Sequence, residues 1–113
     1  MARGSLAQAY PVTTSQTSMY QAISIARAQI QKAQLVNGGG AGPVTVDIWI
    51  TPDNTTTPDV KHLVLSQKQI AVDQTYIATE LIGEYVENGG HIYIQADATG
   101  VAAWVDGNTI KAD

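Results

Sequence analysis

The chain has 113 residues and a mass of 12.0 kDa, enough for one domain with one core and too little for a catalytic domain joined to a regulatory one. It contains no cysteine, which excludes disulfides, thiolate metal sites and thiol nucleophiles. Six Lys and Arg against ten Asp and Glu give a net charge of -4, the wrong sign for a phosphate-backbone binder, so no nucleic-acid partner is expected.

Leu6 to Val12 is interrupted by Gln8, Tyr10 and Pro11, and no apolar run approaches 18 residues. Neither a signal peptide nor a membrane span is therefore expected, and the chain should stay where it is made. Charged residues make up 14% of the sequence, against about 25% in an average soluble domain. Ser, Thr, Asn and Gln together number 31. A polar surface with few charges loses little on desolvation and suits contact with neighbouring subunits. The chain also has 21 Ile and Val beside 12 Thr and only 5 Leu, a β-branched excess that favours strands.

In chain order, residues 1–17 are small and polar with one proline and no sustained period, which predicts an extended N-terminal arm. Such an arm is either frayed and dispensable for folding, or docks Tyr10, Pro11 and Val12 on an adjacent subunit. Between Ser18 and Val36 two patterns coexist. Met19, Ile23, Ala26, Ile30 and Ala33 recur at helical spacing, with Ser15 as a cap and Asn37-Gly38 as a stop. Ile23 and Ile25, Ala28 and Ile30, then Ala33 and Leu35 alternate as strands do, with a one-residue slip of the kind a β-bulge produces. Pattern alone leaves helix and strand level.

The rest is plainer. Asn37 to Pro43 is a glycine-rich turn, and Val44, Val46, Ile48 and Ile50 then alternate with Thr45, Asp47, Trp49 and Thr51 as in a half-buried strand. Thr51 to Asp59 is a surface loop with two prolines. Short β-type runs follow at 62–65, 75–79, 91–96 and 101–105. They are separated by turn signals at Asp73-Gln74, Glu87-Asn88-Gly89-Gly90 and Ala98-Thr99-Gly100, and a last bend falls at Asp106-Gly107-Asn108. Five or more short strands at this spacing predict an all-β antiparallel sandwich of about 7–8 strands over residues 18–113, beyond the arm at 1–17.

Chemistry is sparse. The Gly38–Gly42 loop lacks the Gly-Lys-Ser/Thr and the helix of a phosphate cradle. His62 and His91 each open a strand-like run and share no ligand spacing. Asp53 and Asp59 lack the alternating acidic ligands of a calcium loop. The serines stand in no Gly-x-Ser-x-Gly context. No enzyme activity, cofactor or metal is expected. The informative residues are the tryptophans. If Val44, Val46, Ile48 and Ile50 face the core, Trp49 points outward with Thr45 and Asp47. An outward indole needs a cover, supplied either by the same chain or by a subunit or ligand. Trp104 is expected to be buried.

The order of these runs resembles small β-sandwich proteins of tailed-bacteriophage particles. In those proteins an Asn/Ala-Gly-Asp turn precedes a strand reading Ile-x-Val-x-Ala, and Gly-Val opens a last strand that ends at a Ser/Asp-Gly bend. The matching positions are Glu87-Asn88-Gly89-Gly90, Ile92-Tyr93-Ile94-Gln95-Ala96, Gly100-Val101 and Asp106-Gly107. The resemblance spans about residues 18–110 and is a pattern of strands and turns without a chemical signature. The acidic segment Glu80 to Glu87 and the lack of phenylalanine depart from it.

The resemblance favours strands for 18–36, with the bulge near Gln31-Lys32. It implies a virion component made in the host bacterial cytoplasm: a collar or neck subunit, a capsid decoration protein or an accessory tail subunit. Its partners would be copies of itself and other virion proteins, with no membrane. The expected subunit contacts are Trp49, Thr45 and Asp47 together with Tyr10, Pro11 and Val12. The competing expectation is a carbohydrate- or host-surface-binding sandwich module, with Trp49, Tyr93 or Trp104 stacking on sugar rings.

Overall fold

The computed structural model describes residues 2–39 and 42–111. Gly40 and Ala41, inside the turn expected over 37–43, lie outside the described residues, as do Met1, Ala112 and Asp113. The strands are β1 (Ala2–Pro11), β2 (Thr17–Gln21), β3 (Ile25–Asn37), β4 (Val44–Ile50), β5 (Leu63–Ile70), β6 (Gln74–Ile77), β7 (Tyr85–Glu87), β8 (His91–Ala96) and β9 (Val101–Lys111). One 3-10 turn, Val60–His62, precedes β5.

These strands form the expected all-β antiparallel sandwich. The first sheet runs β1-β9-β3-β6, with β7 also on β3; the second runs β2-β8-β4-β5. Most connections cross from one sheet to the other, so the Gly-rich turn signals read from the sequence mark corners of the sandwich rather than hairpins. The interior is filled by the alternating faces of four strands. These supply Ile30, Ala33 and Leu35 from β3, Val44, Val46 and Ile48 from β4, Ile92, Ile94 and Ala96 from β8, and Val101, Ala103 and Val105 from β9. Burying a Val, Leu or Ile side chain contributes about 1.5–3 kcal/mol, which is how β-branched alternation sets this fold.

Segment 18–36 is two strands, β2 and β3. The register of β3 against β9 slips between Ile30 and Lys32, so Ile30 and Ala33 both face inward although they are an odd three positions apart. The extra residue of this bulge explains why a helical spacing could be read there.

Two expectations change. Residues 2–11, expected as an arm, form β1 and pair with β9 of the same chain from Ala2↔Thr109 to Pro11↔Ala102. Ala7 and Val12 are buried in the core. The segment 80–87 supplies the other unexpected strand, raising the count to nine among the described residues. Ala78 N donates to Ala33 O, Gly83 N to Ile30 O, and Ile30 N to Glu84 O. The path from β6 to β7 thus follows one edge of β3, and Leu81 plugs the core from the turn between them.

Gly107 marks a close approach. A methyl there would meet the backbone carbonyl oxygen of Gln29 on β3 and Leu6 of β1. The Asp106-Gly107 bend expected from sequence is therefore a continuous part of β9, kept thin so that β1, β9 and β3 can close up.

Candidate functional site

The outer face of the second sheet carries the polar half of β4. Asp47 accepts hydrogen bonds from the Gln67 backbone N at 2.6 Å and from Gln67 Nε2 at 3.0 and 3.3 Å. Gln67 sits at φ 53, in the register slip of β5 opposite Asp47. The carboxylate thus steadies a left-handed residue that its bulge requires. Asp97 Oδ1 accepts from Thr45 N at 2.9 Å. Thr45, Asp47, Gln67, Gln95 and Asp97 line an open polar hollow of about 220 Å³. Both carboxylates there are engaged by backbone groups of their own sheet.

Trp49 does not stand free on this face. It lies in register between Leu63 of β5 and Tyr93 of β8 and is only 9% exposed. The alternation of β4 is unbroken against β8, where Asp47 pairs with Gln95, Ile48 with Ile94 and Trp49 with Tyr93, and Trp49 stays outside the core cluster. The indole faces outward as expected and is buried there rather than left open. The remaining expected contacts divide. Val12 is buried at 3% exposure, Pro11 is exposed, and half-buried Tyr10 donates its hydroxyl to Ser18 O at 3.4 Å. Trp49 and Val12 are thus covered by their own chain.

The histidines are strand-end fittings far apart in role. His62 Nδ1 accepts from Asp59 N at 3.0 Å and closes the cap of the 3-10 turn. His91 Nδ1 lies 2.7 Å from Ser18 Oγ, and its ring is 5.1 Å from that of Tyr93. Ser18 Oγ also lies 3.2 Å from Tyr20 O. The Ser–His contact, invisible in the sequence because the two residues are 73 positions apart, clamps β2 to β8. Asp53 Oδ1 is saturated by the backbone N and hydroxyl of both Thr55 and Thr56, at 2.7–3.0 Å. The Thr56 hydroxyl first, then the Thr55 and Thr56 donors around it, pull the Asp53 carboxyl down to about 2. Among the described residues no three His, Asp or Glu side chains gather as a metal site.

The outer face of the first sheet differs in kind. The inward residues of β9 are Val101, Ala103, Val105 and Gly107, so Trp104 falls on the opposite side and is 37% exposed. Its expected burial is thereby corrected: strict alternation aims it at the outer face of the sheet, away from the core. Trp104 pairs with Gln34 of β3, which pairs in turn with Ile77 of β6, and Ile77 is 47% exposed. The next row along the strands is Pro11, Ala102, Val36 and Thr75. On the other side of Trp104, Lys32 pairs with Asp106, followed by Gln29 with Asn108. This broad face has an apolar centre, amide and hydroxyl surroundings, Lys32 beside Asp106, and Arg27 beside Glu87 farther along the strands.

No known protein family, curated protein or solved structure matches the chain. No helix of the described residues is long and apolar enough to cross a membrane.

Proposed function

We propose that the protein is a non-enzymatic structural subunit of a tailed-bacteriophage particle. It is made in the host cytoplasm and incorporated into the virion as a collar or neck, decoration or accessory tail component, where it binds copies of itself and neighbouring virion proteins. The observation that carries this reading is the outer face of the first sheet, where Trp104 and Ile77 stand exposed beside Gln34, Ala102, Val36 and Thr75. Exposed aromatic and aliphatic groups with a polar, nearly uncharged surround are the composition of a protein–protein contact. The strand-and-turn resemblance over 18–110 supports the phage setting, and the low overall charge supports a subunit held on several sides. The test is quantitative protein analysis of purified virions from the phage that encodes the chain. A fixed copy number per particle is the expected result; a chain made in infected cells but missing from particles would contradict the reading.

A second reading draws on the same indole. Trp104 beside the Gln34 amide is an arrangement that stacks on a sugar ring while hydrogen-bonding a hydroxyl, which suits a carbohydrate- or host-surface-binding module. Tryptophan fluorescence against a glycan panel tests it. A saturable shift lost in Trp104→Ala supports sugar binding, and an unresponsive spectrum removes it. Trp49, being covered, is not expected to respond.

A further inference from the structure

Among the described residues, four of the six exposed large hydrophobics, Ile77, Ile82, Tyr85 and Trp104, belong to the first sheet or to the turn along its edge. The second sheet answers its own outward polar groups, through Asp47 with Gln67, Asp97 with Thr45, and His91 with Ser18. The first leaves Lys32 and Asp106 without an ion partner although they are cross-strand neighbours. Among the described residues the only ion pair is Arg27–Glu87, at 3.9 Å.

We propose that the outer face of the first sheet is the contact between two copies of this chain, packed face to face about a two-fold axis that runs parallel to the strands between β3 and β9. This rests on the structural-subunit reading and names its surface. The choice of a second copy comes from the cross-strand rows. An axis in that position exchanges the β3 column with the β9 column while keeping each row in place. Lys32 of one copy then faces Asp106 of the other, twice over. Gln34 faces Trp104, Val36 faces Ala102, and Gln29 faces Asn108, each pairing again occurring twice. The two unpaired charges on this part of the face are thus both answered, and the indole is covered by a side-chain amide. A two-fold contact demands such self-complementarity of one patch.

The size agrees. Strands about 4.8 Å apart, of 10 residues in β1, 11 in β9, 13 in β3 and 4 and 3 in β6 and β7 along one edge, at about 3.3 Å per residue give a face of roughly 650 Å². This lies at the lower end of what each partner of a standard stable interface contributes. Two sheets stacked in this way lie about 10 Å apart and cross at a shallow angle, as aligned sheets do.

The test uses the charge rows and needs only the whole chain. In sedimentation velocity the wild type is expected to dimerise. Lys32→Asp and Asp106→Lys each place two like-charge contacts in the dimer and are expected to weaken it roughly tenfold or more. An equimolar mixture of the two variants restores both opposite-charge contacts in the heterodimer, which should recover affinity to within about threefold of wild type. Thermal unfolding of each variant separates loss of contact from loss of fold, and Trp104→Arg is a second, independent disruption. Variants that dimerise like wild type, or a mixture that does not recover, overturn the proposed face while leaving the structural reading to its own test on virions. A wild type that stays monomeric at all concentrations overturns the second copy as occupant.

Discussion

Trp49 and Trp104 are alike in the sequence and opposite in the structure. Trp49 is closed in by Leu63 and Tyr93, so Trp49→Ala removes packed area and is expected to cost about 3 kcal/mol of stability in urea unfolding. Trp104→Ala on the open face should change stability by about 0.5 kcal/mol or less and weaken association instead. Equal stability losses in the two variants would contradict this division. Which tryptophan carried the exposed role was not legible, because both lie on outward positions of their strands and differ in cover, which comes from segments distant in the sequence. The polar neighbours of Trp49 were legible as outward. Asp47 nevertheless serves the backbone of Gln67 rather than a partner.

Asp53 offers a pH prediction at the same scale. Its folded-state value, about 2, lies below the ordinary 3.8, so the ionised carboxylate is the form that holds the Thr55–Thr56 turn. The sign follows: the contribution is present above about pH 4 and is lost as the pH falls from there through about 2. A carboxyl NMR titration of Asp53 should have its midpoint near 2. A midpoint at the ordinary value would mean that the four donor contacts do not form in solution.

Among the elements, β1 bears most directly on how the chain is used. The small, polar composition of residues 2–11 and their closing proline read as an arm. Such residues also suit an edge strand, which packs Ala7 and, more loosely, Leu6 and Tyr10 against the core. Deleting residues 1–14 is therefore expected to lower stability by roughly 4 kcal/mol or more, since it uncovers β9 and removes Val12 from the core. An unchanged melting temperature would return this segment to the role of a free arm. The plug at Leu81, fully buried in the turn between β6 and β7, is expected to cost about 3 kcal/mol in Leu81→Ala. The acidic and exposed residues on either side of Leu81 hid its role, because one inward side chain in a turn leaves no periodicity. By contrast β4, β8 and the start of β9 were legible from alternation alone, since each packs one face on the core along its whole length. For 25–37 the bulge at Ile30–Lys32 imposed a helix-like spacing on a strand, and pattern could not separate the two.

For the whole molecule, the two outer faces divide the work. The second sheet is closed on itself by hydrogen bonds between its own side chains and backbone. The first offers an apolar centre flanked by a lysine and an aspartate that form no ion pair among the described residues. A rigid block with one such face is suited to repetition, where modest contacts are multiplied by symmetry. The sandwich itself was legible in the sequence, as was a surface poor in charge. The position of the contact was not, because it follows from which residues of β3, β6 and β9 fall in one row. The most direct measurement is the absolute mass of the intact protein by light scattering across a concentration series. A species of about 24 kDa, twice the 12.0 kDa chain, that reverts to monomer in Trp104→Arg is the predicted result. A 12.0 kDa particle at every concentration, or an oligomer indifferent to Trp104, would contradict it.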